Sequence, residues 1–242
     1  MTIEYLTILA VVGLFSVVQS FFGMGLLVFG TPTMLMMGYD FTTTLGHLLP
    51  ASFAVSLLQV LTAGNNRAPV SKYLYILCLP GICLGLWLTE KGPLESFTTV
   101  LVGGMLLISA LIRFSAPLRT SITKALARYA AVYHLLMGII HGLTNLGGAL
   151  LAVLAGGLHD EKHYIRYTIA HYYLFFALMQ MIVLVFIDAH ALSPLSLMNA
   201  ATSGIVYLLI GNRIFKIANN PVFNHSLTVF LAAYGIAVLS KL

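Results

Sequence analysis

Two short stretches carry residue types able to bind a ligand inside an otherwise apolar chain. The first, Gly23-Met24-Gly25-Leu26-Leu27-Val28-Phe29-Gly30-Thr31-Pro32, breaks a long apolar run near its middle; the second, Asn145-Leu146-Gly147-Gly148, breaks another. Glycine permits backbone geometries that cost other residues free energy, and inside a bilayer the freed amides and carbonyls must find protein, water or a ligand. Helices opening near Met24 and Gly148 would aim their first amides, the positive ends of their dipoles, at the gap, which suits an anion. Asn145 can add an amide donor, and Gln19, four residues before Gly23, can reach the same cavity. Close helix packing through small residues is the ligand-free alternative, and the duplication of the break favours binding.

His47 and His171 fall within the long apolar segments that follow each break, away from either surface, where ionisable residues usually face a cavity or a partner. Thr44 and Thr168, three residues earlier, share the same helical face. A protonated histidine attracts an anion, and its titration near neutrality would couple transport to protons. A neutral histidine bonded to a neighbouring helix is the alternative, and the expectation here is a lining role.

Other chemistry finds less footing. His159-Asp160-Glu161-Lys162-His163 places two histidines four apart, but it is not the His-Glu-x-x-His pattern of zinc proteases, and a solvated cytoplasmic loop is expected there. No metal site or cofactor is expected. His134 and His141, seven apart, fit packing or a pathway equally, and Gln59 and Gln180 receive no role. Cys78 and Cys83 lie five apart in one apolar helix and read as packing residues. No nucleophile, phosphate loop or paired carboxylate points to catalysis, and the acids lie in loops or interfaces, against a buried cation site.

The elements that position these residues follow from composition. Of 242 residues, 60 % are hydrophobic and 8 % charged, with a mean hydropathy of +0.97, too few polar side chains to clothe a soluble globule of this size. The apolar runs predict an all-α polytopic membrane protein rather than a barrel, with the first run retained rather than cleaved as a signal peptide. The pI near 9.3 reflects basic loops on the cytoplasmic side, and no nucleic-acid partner follows. Short arms at 5–22 and 24–38 flank the first break, followed by a long segment at 41–63 and helices at 72–89 and 94–112, the last two joined by a compact turn, Thr89 to Pro93. A basic connector, 113–128, leads to arms at 129–146 and 148–158, a long helix at 164–187 and helices at 195–211 and 222–240.

The order of elements therefore occurs twice, and an offset of 124 pairs Gly23 with Gly147 and Thr44 and His47 with Thr168 and His171. Residues 1–112 and 129–242 are expected to be repeats, each a glycine-broken hairpin plus three transmembrane helices, about 8–10 spans in all. Ten of the twelve Lys and Arg fall inside when the loop at 64–72 and the connector are cytoplasmic; only Lys91 and Lys241 fall outside. That count inverts the halves and puts both termini outside.

Gly23-Met24-Gly25 followed by Pro32 resembles the Gly-x-Gly-Gly-Gly-x-x-x-x-Pro signature of the TauE/SafE family of sulfite and organosulfur-anion exporters. The duplicated hairpin and the chain length are similar to that family too. Leu26 and Leu27 stand where the family usually has further glycines, and His47 and His171 where it more often has small hydroxyl residues. The resemblance implies a secondary transporter of the bacterial cytoplasmic membrane that exports sulfite or an organosulfonate. Substrate binding is expected at Gly23, Met24, Gly25, Asn145, Gly147, Gly148, His47, His171, Thr44, Thr168 and Gln19. The expected partners are a small anion and the lipid bilayer, with proton coupling and a homodimer left open. A metal-cation permease using the histidines as neutral ligands, and an intramembrane enzyme, are the rival readings.

Overall fold

The computed structural model describes residues 3–91 and 95–240, which are helical throughout apart from the segments joining the helices. They are α1 (Ile3–Phe22), α2 (Leu26–Met36), α3 (Phe41–Leu61), α4 (Leu74–Cys78 running on as Leu79–Lys91), α5 (Glu95–Phe114), α6 (Ala116–Arg128), α7 (Ala130–Thr144), α8 (Gly147–Leu158), α9 (Lys162–Ile187), α10 (Pro194–Ile217) and α11 (Asn220–Leu239). Wider π-type turns interrupt three of them, at Leu26–Gly30, Leu74–Cys78 and Tyr207–Gly211. The tip of the turn expected over Thr89 to Pro93, and Lys241, lie outside the described residues.

The distribution of polarity is that of a membrane protein. Large apolar side chains face outward, Ile3, Phe186 and Ile217 being more than 80 % exposed, while Ser16, Gln19, Ser20, Ser52, Ser56, Gln59, His141, Asn145 and Gln180 are buried. In water that arrangement would be unfavourable; in lipid it puts hydrogen-bonding groups where protein partners exist. Among the described residues α1, α3, α9, α10 and α11 are each long and apolar enough to cross a bilayer. The return arms α2 and α8 are not: at 1.5 Å per residue, their 11 or 12 residues reach about half of the roughly 30 Å of hydrocarbon.

The first return arm is shorter than the sequence suggests because glycines fix both its ends. Gly23 has φ +87° and Gly38 φ +91°, a left-handed geometry that stops a helix at either side. The stretch read as a connector is itself a helix, α6, opened by Ser115, whose hydroxyl accepts the Leu118 amide at 3.4 Å. α10 runs on past the expected end to Ile217.

The tightest helix pairs join the two halves of the chain: α4 with α7, α5 with α11, and α3 with both α9 and α10. α4 and α7 meet through glycines, since a Cβ on Gly85 would lie 2.3 Å from the Ile139 carbonyl oxygen and one on Gly138 2.2 Å from that of Cys78. Small residues let backbones approach this closely and gain van der Waals contact in lipid, where no hydrophobic force drives helices together. Another seam, between α1 and α10, uses hydroxyls instead: Ser16 Oγ donates to Ser203 Oγ at 2.7 Å, and a Cβ on Gly211 would meet Ser20 Cβ at 2.0 Å. α3 carries an internal proline, Pro50, which cannot donate to the Gly46 carbonyl. Ser196 Oγ from the first turn of α10 takes that acceptor at 2.7 Å.

Candidate functional site

The two breaks do come together. Asn145, at the tip between α7 and α8, donates from Nδ2 to Thr31 Oγ1 of α2 at 2.7 Å, and a Cβ on Gly148 would lie 2.4 Å from Val28 Cγ2 of α2. Asn145 holds a left-handed φ of 62°, a conformation asparagine tolerates better than most residues. Each tip lies against the middle of the long helix that follows its own hairpin: Gln19 is bonded to Ser52 of α3, and Gly148 abuts Tyr173 of α9.

At the first tip the polar groups close on one another. Gln19 Oε1 accepts the Leu26 amide at 3.1 Å, and its Nε2 lies 3.0 Å from Ser52 O, Ser52 Oγ and Ser56 Oγ. Gln59 Nε2 donates to the carbonyls of Gln19 and Ser20 at 2.9 and 3.1 Å. Gly25 is required sterically, because a Cβ there would sit 2.5 Å from Gln19 N and 2.8 Å from Phe15 O. Met24 is fully buried. Gln19 lies beside the break, but its hydrogen-bonding capacity is spent on the protein.

Two cations sit beside this tip. Arg166 donates to Ser20 O at 3.2 Å and stacks 3.4 Å from the centre of the Phe215 ring; Lys162 Nζ donates to Phe215 O at 2.7 Å and to Ala218 O. These carbonyls belong to the last turns of α1 and α10 or just follow them, where a positive charge complements the helix dipole. Lys162 is 6 % exposed, so the expectation of a solvated loop fails at this residue: its ammonium caps a helix end.

At the second tip the same device is built from other side chains. His141 Nδ1 accepts the Gly147 amide at 3.2 Å, and its Nε2 faces Gln180 Oε1 at 3.1 Å. Accepting an amide proton at Nδ1 puts the ring proton on Nε2, so Gln180 presents its oxygen to histidine and its amide hydrogens elsewhere. Gln180 Nε2 is buried and has no partner. Tyr173 OH is likewise buried and unpartnered, and it touches the site directly, since a Cβ on Gly148 would lie 1.9 Å from it. Asn145 Oδ1 is also unpaired; exchanging the two ends of this amide would let Thr31 donate and leave Nδ2 open instead.

The unpaired atoms concentrate on one helix. α9 carries Thr168 Oγ1, His171 Nδ1, Tyr173 OH and Gln180 Nε2, whereas α3 carries Thr44 Oγ1 and Gln59 Oε1. A buried donor left without a partner costs roughly 1–3 kcal/mol, and native proteins rarely leave several together unless something else completes them. The two intramembrane histidines each reach a different neighbour: His47 Nδ1 accepts from Asn199 Nδ2 of α10 at 3.0 Å, and His171 Nε2 pairs with Tyr75 OH of α4 at 2.9 Å. Both are half-buried. His134 bonds Tyr172 OH of α9 at 2.8 Å. Cys78 and Cys83 are free thiols.

Tyr173 is not singled out by the sequence, and Gln180 is noted there without a role. The signal available was weak: Tyr173 belongs to an aromatic run, His171-Tyr172-Tyr173, that packing explains, and Gln180 acquires meaning only once His141 is known to face it.

The chain matches the family described as sulfite exporter TauE/SafE over residues 8–238, nearly its whole length. No curated protein and no solved structure matches it.

Proposed function

This chain belongs to the sulfite exporter TauE/SafE family, a family of transporters rather than enzymes, and from that premise we propose that it moves sulfite or an organosulfonate outward across a bacterial cytoplasmic membrane. The anion is held where the second tip meets α9, by Tyr173 OH, Gln180 Nε2 and Asn145, with Gly147 and Gly148 allowing the backbone to come close. The observation that carries this placement is the set of buried donors without partners beside Gly148. Uncharged donors fixed in a dry cavity stabilise a desolvated anion without a counter-charge that would trap it.

In this reading the first tip, with Gly23, Met24, Gly25 and Gln19, is the brace against which the second tip works, and Thr44 lines its side of the passage. Two inverted repeats, 1–112 and 129–242, joined through 113–128, would rock against each other with both termini outside. The cross-paired packing supports that symmetry: α4 meets α7 and α9, as α10 meets α1 and α3. His171, whose Nδ1 is buried without a partner, is the group suited to carry a proton with the anion, while His47 anchors α3 to α10.

The test is flux of radiolabelled sulfite, thiosulfate and a sulfonate in proteoliposomes. Concentrative or gradient-driven movement of at least one of them is expected, and chemical turnover by detergent-solubilised protein without a membrane barrier would overturn the transport reading.

A further inference from the structure

Two cations are buried one helical turn apart at the start of α9, Lys162 at 6 % and Arg166 at 7 % exposure. Residues four apart share a helix face, and both stand over one ring: the Phe215 centroid lies 4.4 Å from Lys162 Nζ and 3.4 Å from the Arg166 guanidinium carbon. The groups they bond are neutral. Lys162 Nζ donates to the carbonyls of Phe215 and Ala218, and Arg166 Nη1 donates to Ser20 O and, at 3.5 Å, to Asn212 Oδ1. Among the described residues no carboxylate pairs with either cation. The nearest in sequence, Glu161, is exposed and accepts from Asn220 Nδ2 at 2.7 Å. Carbonyls at helix ends complement a positive charge, but they leave two like charges, close together and largely out of solvent, without a counter-ion. Burying one such charge unpaired is costly, and a second beside it adds repulsion.

Unspent hydrogen-bonding groups point the same way. Arg166 uses only Nη1, so Nε and Nη2, the edge of the fork able to meet an oxyanion with two parallel bonds, bond none of the described residues. Lys162 spends two of its three N–H donors. An independent sign is Gln59, which is 2 % exposed: its Nε2 shares Ser20 O with Arg166, and its Oε1 is buried without a donor. A protonated oxygen of an oxyanion, or a water of its hydration shell, supplies that donor.

We propose that Lys162 and Arg166, with Gln59 behind them, hold an oxyanion group of the sulfite or phosphate type at a site separate from the donors beside Gly148. The guanidinium gives the bidentate edge and Lys162 a further contact, and the bound charge offsets both cations. Gly23 lies against this turn, since a Cβ there would come 3.0 Å from Arg166 O, so an occupied site also braces the first tip. Two sources present this chemistry, a free oxyanion and the phosphodiester of a lipid headgroup. The site does not rest on the transport reading; it rests on uncompensated charge and unspent donors.

Thermal unfolding of the full chain, delipidated in neutral detergent, tests it. Sodium sulfite against sodium chloride at equal ionic strength probes the free anion, and short-chain phosphatidylglycerol against a phosphate-free glycolipid with the same chains probes the headgroup. The parent protein carries Tyr173→Phe and Gln180→Leu, so that sulfite held at the second tip does not contribute. At least one probe should raise its Tm by about 3 °C or more at saturation. Adding Arg166→Gln should abolish the rise, and adding Lys162→Gln should at least halve it. Arg166→Lys, which keeps a cation at the end of α1 but loses the fork, should raise the half-saturating concentration at least tenfold, and it decides the matter if the neutral variant does not fold. The same substitutions in the otherwise wild-type chain should remove the same part of the rise. A rise with sulfite alone assigns the site to a free oxyanion, and one with phosphatidylglycerol alone to a lipid headgroup. No rise with either probe, or a rise that Arg166→Gln and Arg166→Lys leave unchanged, overturns the site. A sulfite response that disappears with Tyr173 and Gln180 while phosphatidylglycerol gives none overturns it too, and leaves the transport reading standing.

Discussion

At the first hairpin a glutamine accepts the opening amide of the return arm and is held in turn by Ser52 and Ser56 of α3; at the second a histidine accepts the opening amide and is held by Gln180 of α9. The task is the same, to fix a half-length helix whose first N–H groups have no intrahelical partner. The outcome differs. Gln19 sits among serine hydroxyls and carbonyls that use both ends of its amide, whereas His141 uses one end of Gln180 and strands the other beside an equally stranded Tyr173 hydroxyl. The difference teaches that two hairpins of similar build need not share their chemistry: one tip has closed into structure and the other has stayed open.

The comparison breaks most visibly at Gln19. Gln19→Leu leaves the Leu26 amide and the serine hydroxyls of α3 without partners in a dry interior, and should cost about 3 kcal/mol or more, seen as a large fall in Tm or in recoverable protein. A variant of wild-type stability that has lost flux would mean that the first tip is also a site. Gln180→Leu should cost less: it removes an unpaired donor but also the acceptor of the buried His141 Nε2 proton, so a loss of about 1–2 kcal/mol is expected, while flux falls at least tenfold, equivalent to about 1.4 kcal/mol. Loss of stability with flux retained would make Gln180 a second brace.

The histidines sharpen the contrast at smaller magnitude. His171→Gln should lower flux about fivefold and flatten its pH dependence, while His47→Gln, replacing one bond to Asn199, should cost about 1 kcal/mol of stability with flux within twofold. The smallest effect is at Asp40, which caps α3 by accepting the Thr43 amide at 2.9 Å and its hydroxyl at 2.6 Å. Burial acts to raise its pKa, but the bonds from Thr43 outweigh that and leave it below the usual carboxylate value. A depressed folded-state pKa contributes stability above the unfolded value, about 3.9, and loses it as pH falls through the lower folded value. Asp40→Ala should therefore lower Tm by an amount matching about 1 kcal/mol near neutrality, and the gap from wild type should narrow below about pH 4.

Much of this arrangement was legible in the chain itself. Runs of apolar residues locate the helices to within a few positions, and Gly23 and Asn145-Leu146-Gly147-Gly148 mark both tips because few other residues tolerate those backbones. What could not be read was which helix faces which. The glycines at 81, 85, 138 and 142 look unremarkable until α4 and α7 are known to cross; Ser196 explains Pro50 only when α10 is beside α3. Tyr173 and Gln180 are ordinary residues for their segments, and their significance lies in neighbours 25 and 39 positions away. His47 and Gln19 are prominent in sequence for their polarity, and the structure spends that polarity on bonds between helices.

The most direct test of the asymmetry is sulfite flux, per folded protein in matched proteoliposomes, for two paired variants: Tyr173→Phe with Gln180→Leu at the second tip, and Ser52→Ala with Ser56→Ala at the first. Flux reduced at least tenfold in the first pair and within threefold of wild type in the second is the predicted result. Equal losses in both, or loss confined to the serine pair, would contradict it.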